Sequence, residues 1–505
     1  MHPRLEPFLT LCLACALPAC GSEGTTTTSS SSTGGAASAG GGDASGGAAS
    51  TGGGGGGAFG GAGGAATGGG GEGGAGGGDP MPVTLARCGL TFAWLDPTTM
   101  GTVVTDDTPH STLTILEAFA AKAIVQNQGF DFDRSPQYET LAHRIVYTTQ
   151  DRGQPREATA LVVVPQVDQP ETFPVLLFHH GTTGMTDACA PTYQFEDTQS
   201  EGFLVGLLMS LFSAAGYIVV APDYLGQKSL GAPSPELHPY LIGEPTAVAA
   251  WDSVRAAKSL LASDGSSAEA GPVALWGASQ GGHAALFSAL YQPFYAPEID
   301  LRTGVYGIPP SDLEAHMTLG TRELRPSTGN VVLFYTAAQT WYQPSLAPGL
   351  GQIFVSPYDA QIPAALATSC SPTLLDGVTA VEEVFTSPLL AASQSDTLTG
   401  YEPWGCFARE NSATKTSLPV PTIPGLVVLG ENDTLVDPTI ERAAFTTLCD
   451  QGHKLSYLEC AGAGHTQGFV WAIDDMLDFI DARLAGQPVI GECTQSPAQT
   501  CSNTP

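Results

Sequence analysis

The feature that most constrains this chain is a succession of short apolar runs, each separated from the next by a helical pattern. Strand-like runs occur at Ala158 to Val164, Val175 to His179, Val273 to Trp276, Gly304 to Gly307, Leu426 to Leu429 and Leu455 to Cys460. Between them, Thr246 to Ala262, Gly281 to Tyr291, Pro438 to Leu448 and Gly468 to Leu484 carry apolar residues at helical spacing. Strands apolar on both faces, alternating with helices, predict an α/β body whose mostly parallel sheet is covered on both sides. The rhythm lapses between about Pro309 and Pro419, a stretch rich in Pro, Ser and Thr that reads as a cap inserted above the sheet. The uncharged stretch Gly202 to Ala221 is long enough for a membrane span, but Gly216 divides it. It reads as a buried helix, a glycine cap and the strand Tyr217 to Val220.

Composition bears first on the N-terminal end. Of the 62 glycines, 28 lie between Gly21 and Asp79, in Ser/Thr-rich and then Gly/Ala-rich sequence that can form no core and reads as a flexible tether. Before it, Phe8 to Leu17 is an apolar run too short to span hydrocarbon, as in a signal peptide. Leu17-Pro18-Ala19-Cys20-Gly21 resembles the lipobox of bacterial lipoproteins, which implies that Cys20 is lipidated and becomes the mature N-terminus; the alternative is an ordinary cleaved signal. The expected organisation is therefore signal peptide (1–19), lipidated cysteine and linker (20–79), first part of the core (80–308), cap (309–419) and second part of the core (420–505). Such a protein is expected at the cell envelope, on the extracellular face, touching the membrane only through its anchor.

The chain carries 49 acidic and 18 basic residues, a net charge of −31. Setting aside residues 1–79, which hold Arg4 and five of the acids, still leaves 44 acidic against 17 basic. A nucleic-acid reader needs a basic surface, and docking on anionic lipid needs basic clusters; this balance excludes the first and argues against the second. Cys12, Cys15 and Cys20 belong to the signal and its cleavage site. The eight remaining cysteines, an even number in an exported chain, predict disulfides whose pairing spacing alone leaves open. No C-x-x-C or comparable metal-ligand spacing occurs in the mature part, and no cofactor is expected.

Gly277-Ala278-Ser279-Gln280-Gly281 follows one strand and opens one helix. In that context G-x-S-x-G forms a sharp turn that lifts the serine above the carboxyl ends of the strands, with glycines where bulk would clash. Serine needs a base to take its proton, and the base needs an orienting acid, in the chain order Ser, Asp or Glu, His. His465, after the strand Leu455 to Cys460, is the candidate base. Asp433, in Gly430-Glu431-Asn432-Asp433, is the candidate acid, with Asp437 and Glu431 as competitors. His453 reads as a solvated residue at a helix–strand turn, and His283 as a packing or hydrogen-bonding residue. The oxyanion of an acyl-transfer intermediate needs two donors. The backbone N–H of Gln280 is one candidate, and Thr182, in His179-His180-Gly181-Thr182-Thr183-Gly184, is the other. The paired histidines could be metal ligands, but no nearby carboxylate or third histidine in sequence supports a metal.

These residues resemble the α/β-hydrolases and, within them, the secretory lipase family of fungi and bacteria. The resemblance spans most of Ala158 to Pro497. It includes Cys189-Ala190-Pro191-Thr192-Tyr193, Ala221-Pro222-Asp223-Tyr224-Leu225-Gly226, His238-Pro239-Tyr240-Leu241, Asp252, Arg255-Ala256, Gly277 to Leu286, and Gly307-Ile308-Pro309. It implies the α/β-hydrolase fold, a Ser279, Asp433, His465 triad and a helical cap or lid over an acyl-binding cleft. It also implies disulfides Cys189–Cys370 and Cys449–Cys493. Cys449–Cys460 is disfavoured by the length of an extended strand, and Cys88, Cys406, Cys460 and Cys501 have no assigned partner. The loop at Thr182 departs from some family members.

The function expected is a lipase or esterase that hydrolyses carboxylic esters such as acylglycerols through an acyl-enzyme, acting as a monomer on a small-molecule or lipid substrate. A serine aminopeptidase of the same fold and a non-catalytic surface lipoprotein are the alternatives. Leu346 to Leu350, Leu374 to Val384 and Leu389 to Ala392 either line the cleft or form the cap's own core, with the core favoured.

Overall fold

The computed structural model describes residues 88–194, 201–342, 348–370, 375–395 and 397–501; the signal segment, Cys20 and the tether lie outside them. Nine strands form one sheet: β1 (Val103–Leu113), β2 (Glu139–Asp151), β3 (Gln154–Gln166), β4 (Glu171–His179), β5 (Ile218–Pro222), β6 (Ala268–Ala278), β7 (Leu301–Gly307), β8 (Pro424–Gly430) and β9 (Lys454–Cys460). Their order is β1-β2-β3-β5-β4-β6-β7-β8-β9. From β5 to β9 every pairing is parallel, while β1, β2 and β3 join antiparallel at one edge.

Two departures from the expected strands have local causes. Ala158 to Val164 is part of β3 and pairs antiparallel on both sides. It is delivered by a hairpin from β2 through Arg152 (φ 49°) and Gly153 (φ 70°), two consecutive left-handed residues as in a type I′ turn. Neither β1 nor β2 was expected: β1 reads VVTDDTPHSTL, the polar sequence of an exposed edge.

The layers follow the strand period of two. The first four long helices are α1 (Ile115–Asn127), α2 (Glu201–Ala214), α3 (Gly243–Ser263) and α4 (Gln280–Tyr295). Val162, Val175, Leu177, Val220, Val273 and Leu275 face one side of the sheet, where they pack on α3 and α4. Val163, Leu176, Phe178, Val219, Ala274 and Trp276 face the other, against α1 and α2 and the C-terminal helix. The stretch 202–221 is indeed helix then strand, with Gly216 at φ 107° between α2 and β5. Among the described residues no helix is long and apolar enough to cross a membrane.

Between β7 and β8 the chain leaves the sheet and forms α5 (Leu313–Arg322), α6 (Thr328–Trp341), α7 (Tyr358–Leu366), α8 (Ser387–Ser393) and α9 (Trp404–Glu410). These build a third hydrophobic cluster of their own, joined by Met185, Tyr240, Leu241 and Ile242 from the body. Leu350, Val381, Val384 and Leu389 are buried in it, so this set belongs to the cap's core; Leu346 and Leu374 lie outside the described residues. The chain then returns through β8, α10 (Pro438–Asp450), β9, α11 (His465–Val470) and α12 (Ile473–Leu484).

Gly468 to Leu484 was expected as one helix. It is two, because the backbone N–H of Asp131 donates to the carbonyl of Val470 at 2.8 Å, diverting it from a helical partner. The disulfides Cys189–Cys370 and Cys449–Cys493 form as the resemblance implied, with Cα–Cα distances of 5.3 and 5.6 Å. Cys88–Cys406 and Cys460–Cys501 complete the set. Two of the four staple the cap to the body: Cys406 is in α9, and Cys370 lies beside the loop that follows β4.

Candidate active site

Ser279 stands between β6 and α4 with φ 59° and ψ −121°, a left-handed conformation that a non-glycine residue adopts only when its surroundings enforce it. The enforcement is visible in the neighbouring glycines. A methyl group on Gly277 would lie 2.2 Å from the Gly281 carbonyl oxygen, and one on Gly281 would lie 2.1 Å from that of His179. The Ser279 N–H donates to the Gly307 carbonyl at 2.9 Å, tying the turn to the end of β7. Helix α4 then starts at Gln280, whose N–H is one of the amides with no intrahelical acceptor and points toward the positive end of the helix dipole.

Asp433 and His465 are brought together. The His465 Nδ1 lies 2.7 Å from Asp433 Oδ2, which sets the ring with Nδ1 protonated and the lone pair on Nε2. The other oxygen, Oδ1, accepts from the N–H groups of Leu435 and Val436 at 2.8 and 3.0 Å, so the buried carboxylate is fixed on both sides. His465 is the first residue of α11, with Gly464 at the N-cap. Gly430 and Gly468 let β8 and α11 approach, since a Cβ on Gly468 would lie 2.9 Å from the Gly430 nitrogen. Trp276, just below Ser279, stacks on Phe469 of α11 with ring centroids 5.2 Å apart. Ser279, Asp433 and His465 thus follow β6, β8 and β9, parallel strands whose carboxyl ends share one edge of the sheet.

The competitors have other work. Asp437 caps α10 through the N–H groups of Thr439 and Ile440 and pairs with Arg325 at 3.0 Å. Glu431 is exposed and accepts from the Gly462 N–H at 2.7 Å. His283 is buried and donates from Nε2 to the Asn411 carbonyl at 2.9 Å, as expected of a hydrogen-bonding residue. His453 is not solvated: it is 4% exposed, with burial lowering its pKa to about 4. Its carbonyl lies 3.2 Å from Cys493 Sγ, in the C-terminal tail that the Cys449–Cys493 bridge holds over this turn.

Thr182 is exposed in the loop after β4, its Oγ1 3.0 Å from the Tyr240 hydroxyl. His179 and His180 are buried, and desolvation lowers both pKa values to about 3, keeping them neutral. His180 bonds the Gly181 carbonyl, and its ring stacks on Tyr224 at 4.2 Å. A third histidine, His238, also stacks on Tyr224, with ring centroids 5.7 Å apart. Sequence distance concealed it, and the three rings are spaced by stacking.

The cap closes over Ser279. A cavity of about 40 Å³ adjoins it, lined among others by Tyr240, Gln280, Leu313, His316, Asn330 and Leu435. His316 of α5, paired with Glu441 of α10 at 2.7 Å, and Asn330 of α6 are polar groups the sequence did not single out. They lie in the irregular cap region, where no periodicity or motif marks which side chains turn inward.

The nine-stranded, mostly parallel sheet with a serine on a strained strand-to-helix turn defines an α/β-hydrolase. The profile of the secretory lipases matches residues 194–492, more than half of the chain, and the protein belongs to that family. A probable inactive lipase of Mycobacterium tuberculosis (strain CDC 1551 / Oshkosh) is 27% identical over 361 residues, 70% of this chain and 76% of that protein. Lipase 2 of Candida albicans is 26% identical over 305 residues, 57% of this chain and 58% of that lipase. Among solved structures, the rice cell wall degrading esterase LipA from Xanthomonas oryzae matches with a TM-score of 0.62 at 20% identity, covering 77% of this chain and 99% of that one. Candida antarctica lipase A matches at 0.57 and 16% identity, covering 81% and 92%. These structural likenesses show the shared fold. Family membership together with four disulfides marks an exported hydrolase of the lipase and esterase group.

Proposed function

We propose that the protein is a serine carboxylic ester hydrolase, held at the cell surface by a lipid on Cys20, that works through an acyl-enzyme. The observation that carries this reading is the Asp433–His465 pair at the same sheet edge as the strained Ser279. Ser279 attacks the ester carbonyl while His465 Nε2 takes its proton; Asp433 holds the tautomer and stabilises the imidazolium. The Gln280 N–H and the Thr182 hydroxyl stabilise the oxyanion. His465 returns the proton to the leaving alcohol, and water, activated by the same imidazole, releases the acid. No step calls for a metal or cofactor.

The cavity speaks to the substrate. Sites that enclose a drug-sized ligand measure roughly 300–1,000 Å³, and the space beside Ser279 is about 40 Å³. Short-chain esters are therefore the best substrates of the closed arrangement, and long acyl chains such as those of acylglycerols require the cap to shift. One relative being a probable inactive lipase keeps a non-catalytic lipoprotein as the second reading; the intact acid–base pair argues for activity. An acyl-chain-length profile on p-nitrophenyl esters, with Ser279→Ala alongside, tests both. Turnover of short esters that vanishes in the variant supports the proposal, and undiminished activity in Ser279→Ala, or none in the unmodified protein, overturns it.

A further inference from the structure

The segment His238-Pro239-Tyr240 reaches the side chains of both residues named above for the oxyanion, Gln280 and Thr182. His238 is fully buried and fixed from three directions. Its N–H donates to the Met185 carbonyl at 2.9 Å, and its Nδ1 lies 2.9 Å from the Leu225 carbonyl. Gly226, at φ 79°, passes so close that a Cβ there would be 2.3 Å from the His238 nitrogen. A carbonyl can only accept, so Nδ1 carries the proton and Nε2 carries a lone pair. Gln280 Nε2 lies 2.6 Å from His238 Nε2 and donates to that lone pair. The Gln280 Oε1 is buried and has no partner among the described residues, so the amide is oriented for His238 at the expense of its own acceptor. Burial holds His238 neutral, with a pKa of about 4, so the lone pair persists at neutral pH.

Tyr240 does the corresponding work for Thr182. Asn330 Nδ2, from the cap helix α6, can only donate, and lies 2.7 Å from the Tyr240 hydroxyl oxygen. Either hydroxyl of the Tyr240–Thr182 pair, 3.0 Å apart, can donate; with Asn330 donating to the tyrosine oxygen, the arrangement that continues the chain has Tyr240 donating to Thr182 Oγ1. With that oxygen accepting, the threonine O–H is turned away from Tyr240 and is available to an oxyanion. Hydrogen bonds in such a chain polarise one another. Tyr240, Gln280 and Asn330 line the same cavity as Ser279.

We propose that His238 and Tyr240 are positioning residues, His238 holding the side chain of Gln280 and through it the turn that presents the Gln280 N–H, Tyr240 holding the Thr182 hydroxyl, and that Asn330 ties this brace to the cap. The proposal rests on Ser279 being the nucleophile, with Gln280 and Thr182 serving its oxyanion.

A mutant cycle on p-nitrophenyl butyrate tests it, with melting temperatures to confirm folding. Thr182→Val lowers kcat by about 100-fold, the scale of one lost oxyanion donor, with KM nearly unchanged, and Thr182→Ser restores most of it. Tyr240→Phe and Asn330→Leu each lower kcat by about tenfold in the native background and by less than about twofold in the Thr182→Val background, because they act through Thr182. His238→Leu lowers kcat and weakens a boronic acid transition-state analogue by the same factor; should it fail to fold, the Tyr240 and Asn330 cycle still decides. Equal losses in both backgrounds, or effects confined to KM, overturn the brace. Ser279→Ala run in parallel keeps the two claims apart: activity retained there removes the nucleophile, whereas activity lost there with additive Tyr240 and Thr182 effects removes only the brace.

Discussion

At the scale of single residues, the site depends on one backbone conformation and one hydrogen bond. Ser279 is held at φ 59° because Gly277 and Gly281 leave no room for side chains. Gly281→Ala must push against the His179 carbonyl at 2.1 Å, so it is expected to lose most esterase activity as the turn opens, measurable as kcat on a short ester. Asp433→Asn preserves the shape but reverses the tautomer that the 2.7 Å bond to His465 selects; kcat should fall by about 10⁴-fold with KM little changed. An asparagine variant that keeps more than a tenth of the activity would return the acid's role to Asp437 or Glu431. Much of this was legible beforehand, because a nucleophile turn is a contiguous string with flanking glycines and a fixed order of partners. His238, Asn330 and His316 were not, since their importance comes from three-dimensional neighbours that no local pattern records. His453 was misread for the same reason: the tail that buries it arrives through a disulfide.

At the scale of elements, apolarity on both faces made β4 to β9 readable, whereas β1 at the exposed edge and β2 beside it carry mixed sequence and escaped notice. The break between α11 and α12 is set by a backbone donor from Asp131, more than three hundred residues away in sequence, and leaves no mark on the helical periodicity. The bridge Cys449–Cys493 joins α10 to the C-terminal tail, closing a loop with a separation of 44 residues. Replacing both cysteines by serine should cost about 2–4 kcal/mol of stability, read from denaturant unfolding, with kcat nearly unchanged because neither sulfur adjoins Ser279. No loss of stability would mean that the tail is held without the bridge. The Cys189–Cys370 and Cys88–Cys406 bridges join the cap to the body at two places, so movement of the cap is confined to the segments between them.

At the scale of the whole molecule, stability is linked to pH through buried groups. Burial lowers the pKa of His238, His283 and His453 to about 4 and of His179 and His180 to about 3. Each titrates near 6.5 in the unfolded chain, so the unfolded state takes up protons first and stability is lost as pH falls from 6.5 toward 4. Asp223 and Asp252, raised to about 6 and about 7 by burial, act in the opposite sense, binding protons more tightly when folded. Asp151 and Asp474 are also raised by burial, but the five histidines outweigh these four carboxylates, and the melting temperature should fall steadily between pH 7 and pH 4; a melting temperature that rises over this range would contradict the burial assigned to the histidines.

Ester hydrolysis is proposed to pass through a covalent bond to Ser279. This is tested most directly by labelling the protein with a fluorophosphonate, locating the adduct by peptide mass spectrometry and following turnover of p-nitrophenyl butyrate on the same sample. The expected result is an adduct on Ser279, with activity that disappears in proportion to its formation. Turnover that continues in fully Ser279-labelled protein would contradict it.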